Sequence, residues 1–525
     1  MSQNITIGQR AKCYIIPACQ SNSQGQDSFY GRENKSARSS AVRLMQAVAP
    51  GVMVLINIKM TLALAGSLDP FATNDLVAKS QATSLAGLSV SAPCKFSETG
   101  TAMPLTLPGI VERALCNNPQ TREAWANARV QAALVGATES AYLPSVSATG
   151  SITRNMTDTR TTTISGVSQS SDSTRYNQQS AGLSLTYLLF DFGARDASLE
   201  NAKQVLAAVN ATQDATIQNV FLSAVQAYYQ LFSTQAAAQA AMEAEKSSLE
   251  SFKAASTRYD VGAGTPADKL QAQTAYSQAV LNRIRAEGDA RNAEGVLANV
   301  MGLDANAALS IASPVESAPD EKFVQNVAGL IEAARKNRPD LVAAEAQLKA
   351  AQANVSAVRA SGMPTVSLTA NANYTNSTVS DPFHSSAVGV SVSVPLFTGF
   401  NTTYRIQAAK EQVEARLAQR DRLSQQVSLD VWKAYQGLIT QTQSLKSSTD
   451  LLASATQSER VALGRYKAGV GNVLDLLTAQ SALASARQQN IQALYNWQIA
   501  KATLAQAMGQ LDYAAIASEP ASRLQ

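Results

Sequence analysis

The sequence predicts a mainly α-helical protomer made of two copies of a helix–β-hairpin–helix unit, with a small share of transmembrane β-barrel. Three observations predict this. The second half repeats the first at near-fixed offsets. Four segments alternate apolar and small polar residues with a period of two. Two proline-free stretches of about 65 residues carry apolar positions at helical spacing.

Composition narrows the chemistry. Of 525 residues only 16% are charged, against roughly 25% in an average soluble domain. The 43 Lys+Arg and 39 Asp+Glu leave a net charge of +4, too small and too evenly spread for a nucleic-acid surface. The one histidine, His384, excludes His-cluster metal sites and argues against Ser-His-Asp or Cys-His catalysis, because His is the usual proton carrier near pH 7. Four cysteines, Cys13, Cys19, Cys94 and Cys116, show no CxxC spacing for a structural zinc. No enzyme activity, cofactor or metal is expected, and small residues point to closely packed helices.

Residues 1–65 read as an N-terminal extension and signal-like segment. Arg38 and Arg43 precede an apolar stretch at 51–65, and Ala63-Leu64-Ala65 is a small-x-small cleavage pattern before Gly66. Lys59 interrupts the apolar core, and a true start at Met45 or Met53 would account for the long region upstream. A buried helix is the alternative. Residues 66–104 form the mature N-terminal segment. Export leaves Cys94 and Cys116 in an oxidising compartment, where they either pair or stay as free thiols. Cys19 lacks an apolar upstream segment, so no lipid anchor is expected.

The repeat has two copies, 105–302 and 322–512, joined by a linker at 303–321 and followed by a tail at 513–525. Asn118-Pro119 matches Arg338-Pro339 and Leu143-Pro144 matches Met363-Pro364, each 220 residues apart. Leu189-Phe190 matches Leu396-Phe397, Arg258-Tyr259 matches Arg465-Tyr466, and Met301-Gly302 matches Met508-Gly509, each 207 apart. Absence of a gap between Phe190 and Gly302 suggests continuous elements in lateral contact.

Within each copy a first helix, 107–142 in copy one, ends before a proline. Two strands follow. Val146, Ala148, Gly150 and Ile152 alternate with Ser145, Ser147, Thr149 and Ser151; Leu183, Leu185, Tyr187 and Leu189 alternate with Ser184 and Thr186. Val366, Leu368 and Ala370, then Val390, Val392 and Val394, repeat the pattern. The contrast fits strands that face lipid on one side and water on the other; a half-buried soluble sheet is the alternative. The 156–178 stretch reads as a Ser/Thr-rich extracellular loop, and His384 is placed in the second hairpin loop without a role. A long helix spans 193–257, repeated at 401–464, with Leu206, Val220, Val225, Tyr228 and Leu231 echoed by Val427, Val431, Tyr435 and Leu438. About 65 residues at 1.5 Å each reach roughly 98 Å. A third helix occupies 266–301 and 473–508. The first and third helices together nearly equal the long one, so they should stack end to end beside it, with the linker at mid-height.

Four strands cannot close a barrel alone, and unpaired backbone groups cannot face lipid. Two or more protomers must each supply a share.

The duplicated plan, the LFDFG and LFTGF strand ends and the RYDVGAG and RYKAGVG helix turns resemble the TolC family of outer-membrane efflux and secretion proteins over about 105–512. The resemblance implies a homotrimer with a 12-stranded barrel in the outer membrane, among its lipids, and a long α-helical periplasmic tunnel. It also implies docking to a periplasmic adaptor (membrane fusion) protein and an inner-membrane ABC or RND transporter. The RYxxGxG turns, with Gly262, Gly264, Gly469 and Gly471, then form the tip farthest from the barrel. Asp475 matches a family aspartate that lines the periplasmic constriction, and Asp268 is its counterpart in the first copy. Thr478 stands where a second acidic residue can occur, and Gly471 replaces the basic partner of a closing bridge, which leaves Tyr466 as the remaining latch. Helix capping is the competing reading of both aspartates, because Thr265-Pro266-Ala267-Asp268 and Asn472-Val473-Leu474-Asp475 are good helix starts. Tyr142, Tyr187, Phe190, Phe192, Phe397 and Phe400 would form interfacial girdles or pack at the barrel–helix junction.

The expected function is a passive exit duct, for type I protein secretion or small-molecule efflux. The alternative is a periplasmic helical adaptor or coiled-coil scaffold, against which the four alternating strands count.

Overall fold

The computed structural model describes residues 69–77, 104–157, 163–164, 167–168, 174–313 and 326–511. The signal-like stretch at 51–65, Cys94, Pro314, Pro319 and the tail beyond 511 lie outside the described residues. Cys116 is disulfide-bonded.

The first copy begins with α1 (Leu107–Asn117) and α2 (Pro119–Glu139). These replace the single helix expected over 107–142. Asn118 adopts an extended backbone before Pro119, and its side chain then caps α2 by accepting from the Gln120 N–H at 2.9 Å. Proline stops one helix and, at N1, starts the next. Strands β1 (Ser145–Thr157) and β2 (Thr174–Phe190) follow, then α3 (Ala194–Asp260) and α4 (Pro266–Val300). The second copy supplies α5 (Val327–Asn337), α6 (Pro339–Ala360), β3 (Thr365–Ser377), β4 (Phe383–Ser393), α7 (Asn401–Lys467) and α8 (Val473–Ala507).

The strands form one antiparallel sheet in the order β1-β2-β3-β4, so β1 and β4 are its two edges. Three corrections to the sequence reading arise here. Thr157 pairs with Thr174, so the first hairpin extends well into the expected 156–178 loop, and a short pair, Thr163–Ile164 with Val167–Ser168, lies within what remains. His384 is a strand residue paired with Tyr374, their rings 4.9 Å apart, rather than part of a loop. Leu396-Phe397 lies beyond β4 in irregular, exposed backbone. Phe192 (φ 53°) and Phe400 (φ 65°) hold left-handed backbones where strand turns into helix. Both remain exposed, as do Phe190 and Phe397. Tyr142 differs: its hydroxyl donates to the Asp196 carboxylate and the Arg195 guanidinium lies 5.0 Å from its ring centre.

Helix packing follows the length argument. The half of α3 nearer the sheet packs on α2 and α6, its other half on α4 and α8. Asn201 Nδ2 donates to the Ala350 carbonyl at 2.7 Å in the first half, and Arg487 bonds Glu243 at 3.0 Å in the second. The long α7 lies on the far side of α6 and α8, so the shorter helices separate the two long ones. Contacts are made largely by alanine: Ala132 with Leu206, Ala272 with Leu476, Ala455 with Ala486. Small side chains let helix axes approach closely, which a continuous wall requires.

At mid-height each copy has a large apolar cluster. Ile110, Val220, Phe221, Leu231, Leu297 and Met301 fill the first; Val427, Val431, Leu438, Trp497 and Leu504 fill the second. The repeated Met-Gly closes each one. Gly302 (φ 71°) and Gly509 (φ 70°) would place a Cβ 2.7 Å from the Asn117 carbonyl oxygen and 2.8 Å from that of Asn337. Only glycine fits where the third helix ends against the short one. This contact fixes the third helix at mid-height, where Leu105 bridges Ile311 in the linker. Among the described residues no helix is long and apolar enough to cross a membrane.

Candidate functional site: the helical tip

The tip is formed by the α3–α4 and α7–α8 turns, and the RYxxGxG sequences build both in the same way. In the first, the Ala263 N–H donates to the Arg258 carbonyl at 2.8 Å and Gly262 N–H to the Tyr259 carbonyl at 3.0 Å. In the second, Val470 donates to Arg465 at 3.1 Å and Gly469 to Tyr466 at 3.1 Å. This is the helix-ending pattern that needs a left-handed residue one place past the helix cap, and Gly262 (φ 73°) and Gly469 (φ 75°) provide it. The second glycine of each pair serves proximity instead. A Cβ on Gly264 would lie 3.1 Å from the Tyr259 nitrogen, and one on Gly471 3.1 Å from the Tyr466 nitrogen.

The two aspartates occupy equivalent positions in different states. Asp268 completes a capping box: its N–H donates to Thr265 Oγ1 at 3.1 Å, while its carboxylate accepts from the Thr265 N–H at 3.3 Å and hydroxyl at 2.8 Å. Asp475 N–H donates to Asn472 Oδ1 at 2.7 Å. The Asp475 carboxylate is exposed and has no hydrogen bond or ion pair among the described residues. Asn472 caps α8 without it. Thr478, one turn on, is also exposed. The structure therefore brings Asp475 and Thr478 onto one exposed face and leaves Asp268 occupied with its own helix.

Tyr466 is buried, at 6% exposure, among Ala255, Ala272, Val473 and Leu476. Its partner is a residue that the motif contains but to which sequence reasoning assigned no role. Arg258, at the end of α3, donates from Nη2 to the Tyr466 carbonyl at 2.7 Å and lays its guanidinium 4.2 Å from the Tyr466 ring centre. The tips of the two repeats are thus clasped within one chain. Arg465, the repeat counterpart of Arg258, is exposed and makes no ion pair among the described residues. The signal for this difference is absent from the motif, because both copies read Arg-Tyr; only the packing of α3 against α8 selects Arg258.

The first tip carries its own pair, Lys269 to Asp260 at 3.4 Å, with the Lys269 ammonium 5.0 Å from the Tyr259 ring centre. Behind the tip, α3, α4 and α8 border a groove of about 1300 Å³ lined by amides and hydroxyls such as Ser247, Gln278, Asn282, Gln480 and Gln488. No group of metal-ligating side chains occurs among the described residues. The lining also carries charged side chains, Glu243 paired with Arg487 among them.

Known proteins show the same plan. The family model described as outer membrane efflux protein matches residues 110–303 and 330–510. Protein CyaE of Bordetella pertussis is 32% identical over 423 residues, 79% of this chain and 86% of that protein. The outer membrane efflux protein BepC of Brucella suis is 27% identical over 420 residues, 78% of this chain and 86% of that protein. Among solved structures, the Campylobacter jejuni CmeC outer membrane channel superposes with a TM-score of 0.70 at 18% identity, over 84% of this chain and 92% of that one. The outer-membrane channel OprN gives 0.67 at 22% identity, over 77% and 90%.

Proposed function

Because this chain belongs to the outer membrane efflux protein family, and so acts as an outer-membrane channel with a helical periplasmic tunnel, we propose that three copies make one continuous exit duct. The observation that carries this reading is the four-stranded sheet with two free edges, apolar on one face and serine-paired on the other. Backbone groups at a free edge cannot stay unpaired in lipid, and three such sheets supply the strands of a 12-stranded barrel. The helices below continue its wall.

In the assembled duct the tips meet at the periplasmic end, and three Asp475 carboxylates ring the opening. The ring prefers cations there, and dilation of the tip regulates passage. Energy comes from an inner-membrane ABC or RND transporter joined through a periplasmic adaptor. Cargo is either a protein secreted in one step or small molecules.

Separation of the two membranes followed by gel electrophoresis of unheated and heated samples tests this. A heat-modifiable oligomer in the outer-membrane fraction is expected. A protein of monomer mobility that stays in the periplasmic extract overturns the duct and favours an adaptor or scaffold.

A further inference from the structure

We propose that the outer rim of the first hairpin binds the phosphates of an outer-leaflet phosphoglycolipid through Arg154 and Arg175. The faces of the sheet are fixed by side-chain contacts. Ser147 and Ser184 Oγ atoms lie 2.7 Å apart, as do those of Ser151 and Ser180, while Ser367 and Ser391 lie 2.9 Å apart. That face is polar. The alternate residues, Val146, Ile152, Leu183, Val388 and Val390, form the opposite face and are all exposed. Pairing of β1 with β2 is unbroken from Ser145↔Thr186 to Thr157↔Thr174. Period-two alternation therefore places Arg154 on the face of Ile152, and Arg175 on the face of Leu183.

On that face the residues near the hairpin turn change character. Ile152 pairs with Gln179, Arg154 with Asn177, and Met156 with Arg175. The two arginines are diagonal neighbours, a spacing of roughly 7–8 Å that long side chains span. Both are exposed and neither makes a hydrogen bond or ion pair among the described residues. A positive charge facing lipid is costly at the bilayer midplane and almost free at the interface. Arg154 is eight positions beyond Val146, about 27 Å along the strand at 3.4 Å per residue. Strand tilt reduces this to roughly 20 Å of height, most of an apolar band about 25 Å tall, so the arginines lie near its outer edge. The Tyr374–His384 ring pair lies on the same face, in the row of Gly150 and Ala181, four residues short of Arg154.

The occupant is set by the mixture of groups. Ile152, 81% exposed, and Met156, 60% exposed, flank Arg154, so the ligand offers apolar chains beside its anion. Guanidinium groups bind phosphate with paired N–H donors, and the Asn177 and Gln179 amides suit sugar hydroxyls. The second hairpin has Asn376, Tyr374 and His384 in the corresponding rows and no arginine, so among the described residues each chain carries one such cluster. The helices leave the opposite end of the sheet toward the periplasm, which makes this rim the outer leaflet.

The proposal rests on the lipid-facing reading of the sheet, so the oligomer is checked in the same samples. Full-length protein in detergent is titrated by native mass spectrometry with diphosphoryl lipid A, with the same lipid lacking phosphate, and with inorganic pyrophosphate as competitor. Diphosphoryl lipid A should bind at least about tenfold more tightly than the dephosphorylated lipid. Arg154→Gln with Arg175→Gln should remove that preference while the heat-modifiable oligomer persists. Arg154→Lys with Arg175→Lys should keep most of it, which excludes a folding defect as the cause. Equal affinity for both lipids, an unchanged preference in the Gln variant, or complete displacement by pyrophosphate overturns the lipid site. Absence of any oligomer in the wild type overturns the barrel reading instead.

Discussion

Asp268 and Asp475 stand at the same place in the repeat, three residues past a helix cap, yet differ in what their carboxylates touch. The capping role of this position is legible in the sequence, since Thr-Pro-x-Asp spells a helix start. Which carboxylate stays free is not legible, because it depends on how the Thr265 N–H and hydroxyl turn back toward Asp268. Asp475→Asn should reduce cation preference and multivalent-cation block in planar-bilayer recordings without loss of stability. Asp268→Asn should leave selectivity unchanged and cost about 1 kcal/mol, the usual worth of a cap. A second residue-scale effect concerns Tyr142. Burial, then the hydrogen bond to Asp196, pushes its hydroxyl from 10.0 up to about 12. The raised value favours the neutral phenol, so its stabilisation is complete below pH 10.0 and disappears as pH rises through about 12. Tyr142→Phe should remove that alkaline component from a thermal-unfolding series across this range.

At the scale of elements, the long helices, the third helices and all four strands were readable because their signals are long and periodic. Both long helices run three residues beyond their expected ends, to Asp260 and Lys467. The break at Asn118-Pro119 was present in the sequence as half of a repeat match. The periodicity alone nonetheless predicts one helix there, because proline is tolerated at a first helical turn and leaves the apolar spacing intact. The clasp between Arg258 and Tyr466 is a property of two packed tips and has no signature in either one. It holds the tips of the two repeats together through a guanidinium over a buried ring, an interaction worth roughly 0.5–2 kcal/mol. Arg258→Gln should therefore speed hydrogen–deuterium exchange of amides at 258–266 and 465–473, with the mid-height helices unaffected. Gly262→Val, which forces a branched residue into left-handed backbone, should lower stability by about 1–2 kcal/mol and fray the same turn.

For the whole molecule, charge scarcity, a single histidine and an abundance of small residues have one explanation. A conduit wall needs close helix contact and an unreactive lining, and in the duct proposed above the Asp475 carboxylates gather at its narrow end. The edges of the sheet carry the strongest constraint, since a protomer with four strands is incomplete as a membrane structure. Stoichiometry is accordingly the central claim, and native mass spectrometry of the full chain released from outer membranes measures it most directly. An intact species of three chain masses is predicted, dissociating only when the barrel is heated. A dominant single-chain mass under the same gentle conditions would contradict the account.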